Sequence, residues 1–413
     1  MALIVQKFGG SSVADVGRMR RCAQRIIAAR DAGHDVVVVV SAMGKTTDGL
    51  VELAREASSD PETGEPSPKG PSKRELDMLL STGERISIAA MAMVLHALGY
   101  EAVSFTGRQI GMVTDDAHTR ARIASVDSET MKRELAAGRI VVVAGFQGVT
   151  ERGEVTTLGR GGSDTTAVAV AAALQADVCE IFTDVDGVYT TDPRLVPAAR
   201  KLERISYDEM LEMASLGAKV MHSRAVEFGA RYGVPIHVRH SHRLDEGTMI
   251  VKEVEKMEDL QVTGVVLKPN LGRITLDHVP DSPGVAATIF ARLAGAGVVV
   301  DDIIQTVGDG VATIAFTVDH SDLPDVKPLL DATLTEIGGG HASIEVGFAK
   351  ISAVGVGIRS HASVASAMFR ALAEGGVNIA NITTSEIKIS VIVDKGEGEK
   401  ALRVVHRALG LEG

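Results

Sequence analysis

Residues 157–176 read TLGRGGSDTTAVAVAAALQA. The first half is a turn in which Gly159, Gly161 and Gly162 surround Arg160, Ser163, Asp164 and Thr165. The second half is apolar, rich in alanine and patterned as a helix. Glycines ahead of a helix N-terminus let backbone N–H groups come close to an anion, and the helix dipole favours negative charge there. Arg160 adds a guanidinium fork that can grip a carboxylate or phosphate through two bonds. The plainer alternative is a helix start capped by Ser163 or Asp164. Apolar runs stand on either side, IVVVAG at 140–145 and VCEIFTD at 178–184. The stretch therefore reads as the turn and helix between two buried strands.

The same alternation runs outward in both directions. ALIVQKF (2–8) is a buried strand, followed by GGSS, a helix from about Val16 to Ala32, and the strand VVVVVSAM (36–43). Valine runs separated by helices indicate a parallel sheet covered on both faces. Residues 58–74, rich in Pro, Gly, Ser and charge, read as an exposed loop. A helix is expected over 75–98, a glycine-bearing helix pattern over 207–232, and a strand at VPIHV (234–238). To about residue 250 the chain reads as one α/β domain.

The second half contains a repeat. SPGVAATIFARLAGAGVVVDDI (282–303) aligns without gaps on HASVASAMFRALAEGGVNIANI (361–382), at a constant offset of 79 residues. Each copy has a strand before it (274–279; 351–358), a strand after it (312–318; 387–393) and then a helix (324–336; 397–409). That is a strand-helix-strand-strand-helix-strand module used twice, each with a small half-buried sheet able to pack edge to edge with the other.

Length and composition set outer limits. The 413 residues allow two or three domains, and 45% hydrophobic residues with 43 glycines fit an ordinary α/β protein. The net charge of −11, with no long Lys/Arg cluster, argues against nucleic acid as a partner. No apolar run reads as a bilayer span, and the N-terminus MALIVQKFGG lacks the pattern of a signal peptide. The two cysteines, Cys22 and Cys179, cannot build a disulfide framework and sit in apolar patterns, as buried thiols do. A cytoplasmic protein without membrane partners is the expectation.

Five further polar clusters accompany the opening stretch. KFGGSS (7–12) follows the first strand and combines Lys7 with the N–H groups of Gly9 and Gly10, without the spacing of a Walker A loop. SAMGKTTD (41–48) carries Ser41 and Thr47, and TGER (82–85) carries Glu84, whose carboxylate suits an ammonium group. TDVDGVYTTDPR (183–194) brings Thr183, Asp184, Tyr189 and Arg194 to the end of a strand, and SLGAKVMH (215–222) places Lys219 beside a glycine. Singly, each has an ordinary explanation as a turn or a solvated side chain. Ligands in open parallel sheets sit beyond the strand carboxyl ends. Collected there, two lysines, two arginines and several N–H-rich turns form an anion clamp suited to a nucleoside triphosphate and a carboxylate.

In their order along the chain, KFGGSS, VVVVVSAM, LLSTGERIS, SFTGRQIG, VAGFQGV, TTLGRGGSDTTAVA, TDVDGVYTTDPR, GAKVMH and GVPIHVR resemble the aspartokinases over essentially the whole sequence. The tandem repeat resembles the paired ACT domains of those enzymes. The resemblance implies an amino acid kinase fold, an αβα sandwich, over 1–248, and two ferredoxin-like ACT domains over 260–340 and 341–413. It implies MgATP-dependent phosphorylation of the side-chain carboxylate of L-aspartate, at the head of lysine, threonine, methionine and diaminopimelate synthesis. It places Lys7, Phe8, Gly9, Gly10, Thr183, Asp184, Tyr189, Arg194 and Lys219 at ATP, and Ser41, Thr47, Glu84, Arg160 and Ser163 at aspartate. Asp164 would order Lys7 or the metal shell, and no protein metal site is implied. The reacting carboxylate is already ionised at neutral pH, so positioning and fixed positive charge are the tools such a reaction needs.

By the same resemblance, lysine or threonine would act as effector at Asp281, Ser282, Pro283, Gly284, Asp301, Gln305, Asn378, Ile379, Ser385 and Glu386. The chain departs from the family pattern at Val299, where an asparagine is common, and at Ala362-Ser363, which replace Pro-Gly in the second copy. A homo-oligomer joined through the ACT domains is expected, and Met257 could serve as an internal start for a separate regulatory subunit. Two rivals stand beside this reading. Another amino acid kinase would lack the tandem repeat, and a non-catalytic sensor would have no need of Lys7, Glu84, Arg160 and Lys219.

Overall fold

The computed structural model describes residues 1–67, 70–218, 220–254, 262–358 and 361–413. They form two compact units. Unit 1 comprises Met1–Tyr189 and Lys201–Lys256, and unit 2 comprises Thr190–Arg200 and Met257–Gly413.

Unit 1 begins with strand β1 (Leu3–Phe8), helix α1 (Val16–Asp31), β2 (Asp35–Val40), α2 (Thr46–Ala57), α3 (Lys73–Leu80) and α4 (Thr82–Ala97). Next come β3 (Ala102–Phe105), β4 (Val113–Thr114), β5 (Ile123–Ser125), α5 (Glu129–Ala136), β6 (Ile140–Ala144), β7 (Gln147–Thr150) and β8 (Val155–Thr157). It closes with α6 (Gly162–Leu174), β9 (Val178–Thr183), β10 (Arg204–Ser206), α7 (Tyr207–Ser215), α8 (Ser223–Tyr232), β11 (Ile236–His240) and β12 (Thr248–Val251). The main sheet has the order β10-β12-β11-β9-β1-β2-β6-β3 and is parallel except for β11 against β12. Alternation along β2 sends Val36, Val38 and Val40 to one face, where they join α1 and α4 in a core with Phe8 and Phe182. Helix α6 packs on β1, β2 and β9, and α8 on α6. The sheet thus lies between helical layers, as the valine runs implied.

A second, four-stranded sheet, β5-β4-β7-β8, was not anticipated, because its strands are only two to four residues long. The helix expected over 75–98 is two helices meeting at Ser81, whose hydroxyl donates back to the Met78 carbonyl. The pattern over 207–232 likewise divides into α7 and α8. Residues 73–97 are, by length and composition, apolar enough to cross a bilayer, which corrects the expectation of no such run, but more than half of that window is buried inside the unit.

Unit 2 contains β13 (Gly264–Pro280), α9 (Val285–Gly295), β14 (Val300–Gly308), β15 (Val311–Asp319), α10 (Leu323–Glu336) and β16 (His341–Val354), then α11 (Ala362–Glu374), β17 (Asn381–Thr384), β18 (Lys388–Asp394) and α12 (Gly398–Ala408). Its six strands form a single sheet, β14-β15-β13-β16-β18-β17, in which the two small sheets meet edge to edge. The reason lies in β13 and β16, which pair along nearly their whole length with an irregularity near Asn270. Leu271–Pro280 opens the first module and the early part of β16 closes it. The later part of β16 opens the second module, and Gly264–Lys268 closes that one. The modules therefore interleave, whereas limits of 260–340 and 341–413 divide them in series. Each retains its own core, one around Ile274, Phe316 and Leu330, the other around Val265, Ile351, Val391 and Leu402.

Candidate active site

The first turn after β1 is built around glycine. A Cβ on Gly10 would lie 2.7 Å from the Ala42 carbonyl oxygen, and Gly44 N–H donates to the Gly10 carbonyl at 3.0 Å. Only glycine lets the 9–12 and 41–44 turns approach this closely. Gly83 abuts the same place, where a Cβ would meet Cβ of Ala42 at 2.8 Å. That brings in the start of α4, and Glu84 accepts the Ala42 N–H at 3.0 Å. Glu84 is 3% exposed, and its Oε2 has no hydrogen-bond partner among the described residues. Burial pushes its carboxyl up to about 7, against the pull of the Ala42 N–H and its own N–H. An ammonium placed against Oε2 would restore the charged form.

Lys7 projects from the opposite face of β1 to Phe8. Its ammonium pairs with Asp164 Oδ1 at 2.6 Å, in the first turn of α6. Phe8 stacks on Phe182 with ring centroids 4.8 Å apart, and Gly9 N–H reaches the Phe182 carbonyl. Lys7, Gly9 and the end of β9 thus sit together, with Thr183 and Asp184 next along the chain. Thr183 Oγ1 donates to Asp184. Tyr189 donates its hydroxyl to Asp186, which also pairs with Arg243 at 3.0 Å.

Helix α6 starts after Gly161, which holds φ at +70°. The capping alternative at Ser163 or Asp164 does not occur: both lie inside the first turn, and no side chain caps the helix. Its N-terminal end is therefore available to an anion. Ser163 packs against Gly145, where a Cβ would come within 2.7 Å of the Ser163 hydroxyl oxygen. Arg160 is exposed on the preceding turn, and Ser41 and Thr47 flank the turn joining β2 to α2.

One expected residue belongs to the other unit. Arg194 belongs to unit 2, where it pairs with Asp192 at 2.7 Å. Lys219 lies outside the described residues. Of the expected effector residues, Asp281–Gly284 form the exposed turn before α9, with Gly284 at φ +100°. Asp301 and Gln305 are on β14, Asn378 and Ile379 precede β17, and Ser385 and Glu386 turn from β17 into β18. The Asp301 carboxylate is already engaged by Lys350 at 2.6 Å.

Sequence reasoning missed the groups that fix the 157–161 turn. The His222 ring lies directly on Gly161, so close that a Cβ there would fall 2.3 Å from its Cγ. Burial lowers the His222 pKa, with Arg224 and Arg160 adding to the effect and Asp164 opposing it. Arg224 donates to the carbonyls of Leu158 and Ala121. Asp77, fully buried in α3, accepts from Thr157 Oγ1 and the Thr119 N–H and bonds His118 at 2.8 Å. An acid on the apolar side of KRELDMLL was the one signal for this network.

The amino acid kinase family profile matches residues 2–240, and ACT domain profiles match 273–334 and 351–409. An aspartate kinase of Pseudomonas fluorescens is 49% identical over 414 residues, covering 100% of this chain and 98% of the relative. An aspartokinase of Thermus thermophilus is 49% identical over 415 residues, with 100% of both chains covered. Among solved structures, E. coli aspartokinase III in complex with aspartate and ADP superimposes with a TM-score of 0.82 at 28% identity, covering 99% of this chain and 100% of the other. The same enzyme in complex with lysine and aspartate gives 0.73 at 29% identity, covering 98% and 99%.

Proposed function

The chain belongs to the amino acid kinase family, among its aspartate kinases, and on that premise we propose that it phosphorylates the side-chain carboxylate of L-aspartate to give 4-phospho-L-aspartate. A carboxylate oxygen of aspartate bonds to the γ-phosphorus of ATP, the bond to the β–γ bridging oxygen breaks, and ADP leaves. The observation that carries this reading is the Lys7–Asp164 pair at the uncapped start of α6. It supplies a positive charge held in place where negative charge spreads in the transition state. Asp164 keeps the Lys7 ammonium oriented. Glu84 takes the ammonium of aspartate, Arg160 its α-carboxylate, and Ser41, Thr47 and Ser163 complete the pocket. Lys7, Phe8, Gly9, Gly10, Thr183, Asp184 and Tyr189 serve ATP, with Lys219. Mg2+ would enter with the nucleotide, as MgATP.

The product would feed synthesis of lysine, threonine, methionine and diaminopimelate. Lysine, threonine or both would inhibit through the ACT modules, in a homo-oligomer. An internal start at Met257, which lies outside the described residues, would give a separate regulatory subunit. Buried free Cys22 and Cys179 fit a reducing cytoplasm. A coupled assay for ADP release tests the central reading with L-aspartate, L-glutamate and N-acetyl-L-glutamate as acceptors. Turnover is expected with aspartate. Turnover with one of the others instead would overturn the assignment, and none with any of them would favour a sensor.

A further inference from the structure

The polar centre of unit 2 is a buried lysine shared by two carboxylates. Lys350 on β16 is 1% exposed, and its ammonium lies 2.6 Å from Asp301 Oδ2 and 2.5 Å from Asp302 Oδ2. The two aspartates differ in setting. The Asp302 side chain is 4% exposed and accepts hydrogen bonds from Thr317 on β15 and Thr383 on β17. Thr383 belongs to the second module, so Asp302 ties the two edge strands of the sheet together. Its backbone sits at φ +51°, where the β14–β15 ladder breaks register between Asp301 and Ile304. Asp301 has side-chain exposure of 44% and faces solvent. Burial raises its carboxyl, but the Lys350 hydrogen bond and charge outweigh that and hold it below the usual carboxylate range. Two carboxylates thus share the Lys350 ammonium, Lys388 adds a second positive charge near Asp301, and Asp301 is the carboxylate that reaches solvent.

Removing the sole partner of a buried charge is strongly unfavourable, whereas exchanging one of two partners is not. We infer that Asp302 is the residue that frees Asp301: it holds Lys350 alone when the ammonium of an amino acid effector takes over the Asp301 carboxylate. The site therefore selects ligands with a free cationic group, and the exchange reaches the second module through Thr383. This rests on the amino-acid inhibition proposed above.

The test titrates L-lysine and L-threonine against the full-length wild type and Asp302→Asn. The Asn variant keeps the shape but leaves Lys350 only Asp301, so its apparent inhibition constant rises at least tenfold while uninhibited kcat and both KM values stay at wild-type level. Asp302→Glu restores most of the sensitivity, and Nα-acetyl-L-threonine, which has no cation, inhibits neither chain. If the wild type is inhibited and the Asn variant responds at the same concentrations, the inference fails and regulation stands. If neither amino acid inhibits the wild type, regulation itself fails and the inference falls with it. Should the Asn variant not fold, Thr383→Val replaces it: a severalfold rise in the inhibition constant supports the role of Asp302, and an unchanged constant overturns it.

Discussion

Glu84 shows how a single side chain can be costly to the fold and useful to the site. Below about pH 4.5 its carboxyl is neutral folded or unfolded. As pH rises, the unfolded chain ionises first, while the folded chain resists until about 7. Stability is therefore lost progressively across that window and stays lost above it. Glu84→Gln should raise stability by roughly 3 kcal/mol at pH 8, with little change near pH 4. Denaturant melts at the two pH values check this, and equal gains at both would exclude the burial argument. The same variant should lose aspartate binding. Lys7→Ala should fold normally and lose turnover by orders of magnitude, since the role proposed for Lys7 is to place charge at the γ-phosphoryl group; normal turnover in a folded variant would remove the mechanism. Arg160→Lys should raise the KM for aspartate far more than that for ATP, because an ammonium cannot reproduce the guanidinium fork. Equal changes in both would show that Arg160 serves another role.

At the scale of elements, the site depends on where α6 begins. Gly161 meets two demands at once, a positive φ and contact with the His222 ring. Gly161→Ala should lower kcat/KM at least tenfold with the sheet intact. Adding His222→Gly should recover part of the loss by removing both the ring and the Cβ that a Cβ at 161 would strike, though the strained φ remains. A double variant no better than the single would mean that backbone strain alone sets the effect. The glycine turn ahead of α6 was legible because glycine placement is local information. Its support was not, because Asp77, His118, Arg224 and His222 come from three other parts of the chain. The break at Ser81 was also hidden, since apolar spacing continues across it from α3 to α4.

For the whole molecule, the division into a catalytic half and a repeated half was readable from valine runs and the 79-residue offset. The interleaving was not, because strand length beyond the repeat depends on pairing between β13 and β16. Nor was the excursion of Thr190–Arg200 into unit 2 visible. There Leu195 and Val196 join the core of the second module. Thr190, fully buried, bonds His406 Nε2 at 2.9 Å and the Leu411 carbonyl at 3.1 Å, and accepts the Val265 N–H at 2.7 Å. This bears on an internal start at Met257. A chain of residues 257–413 lacks the segment and leaves those partners, together with the Val196 pocket, unfilled. Unsatisfied buried groups and lost apolar contacts each cost about 1–3 kcal/mol. The fragment should therefore melt below unit 2 in the full chain. A synthetic peptide spanning residues 189–201 should raise its melting temperature, and the same peptide with Thr190→Val and Val196→Ser should not. If neither peptide shifts the melt, the segment contributes nothing that the fragment cannot supply for itself, and unit 2 is complete from residue 257 onward.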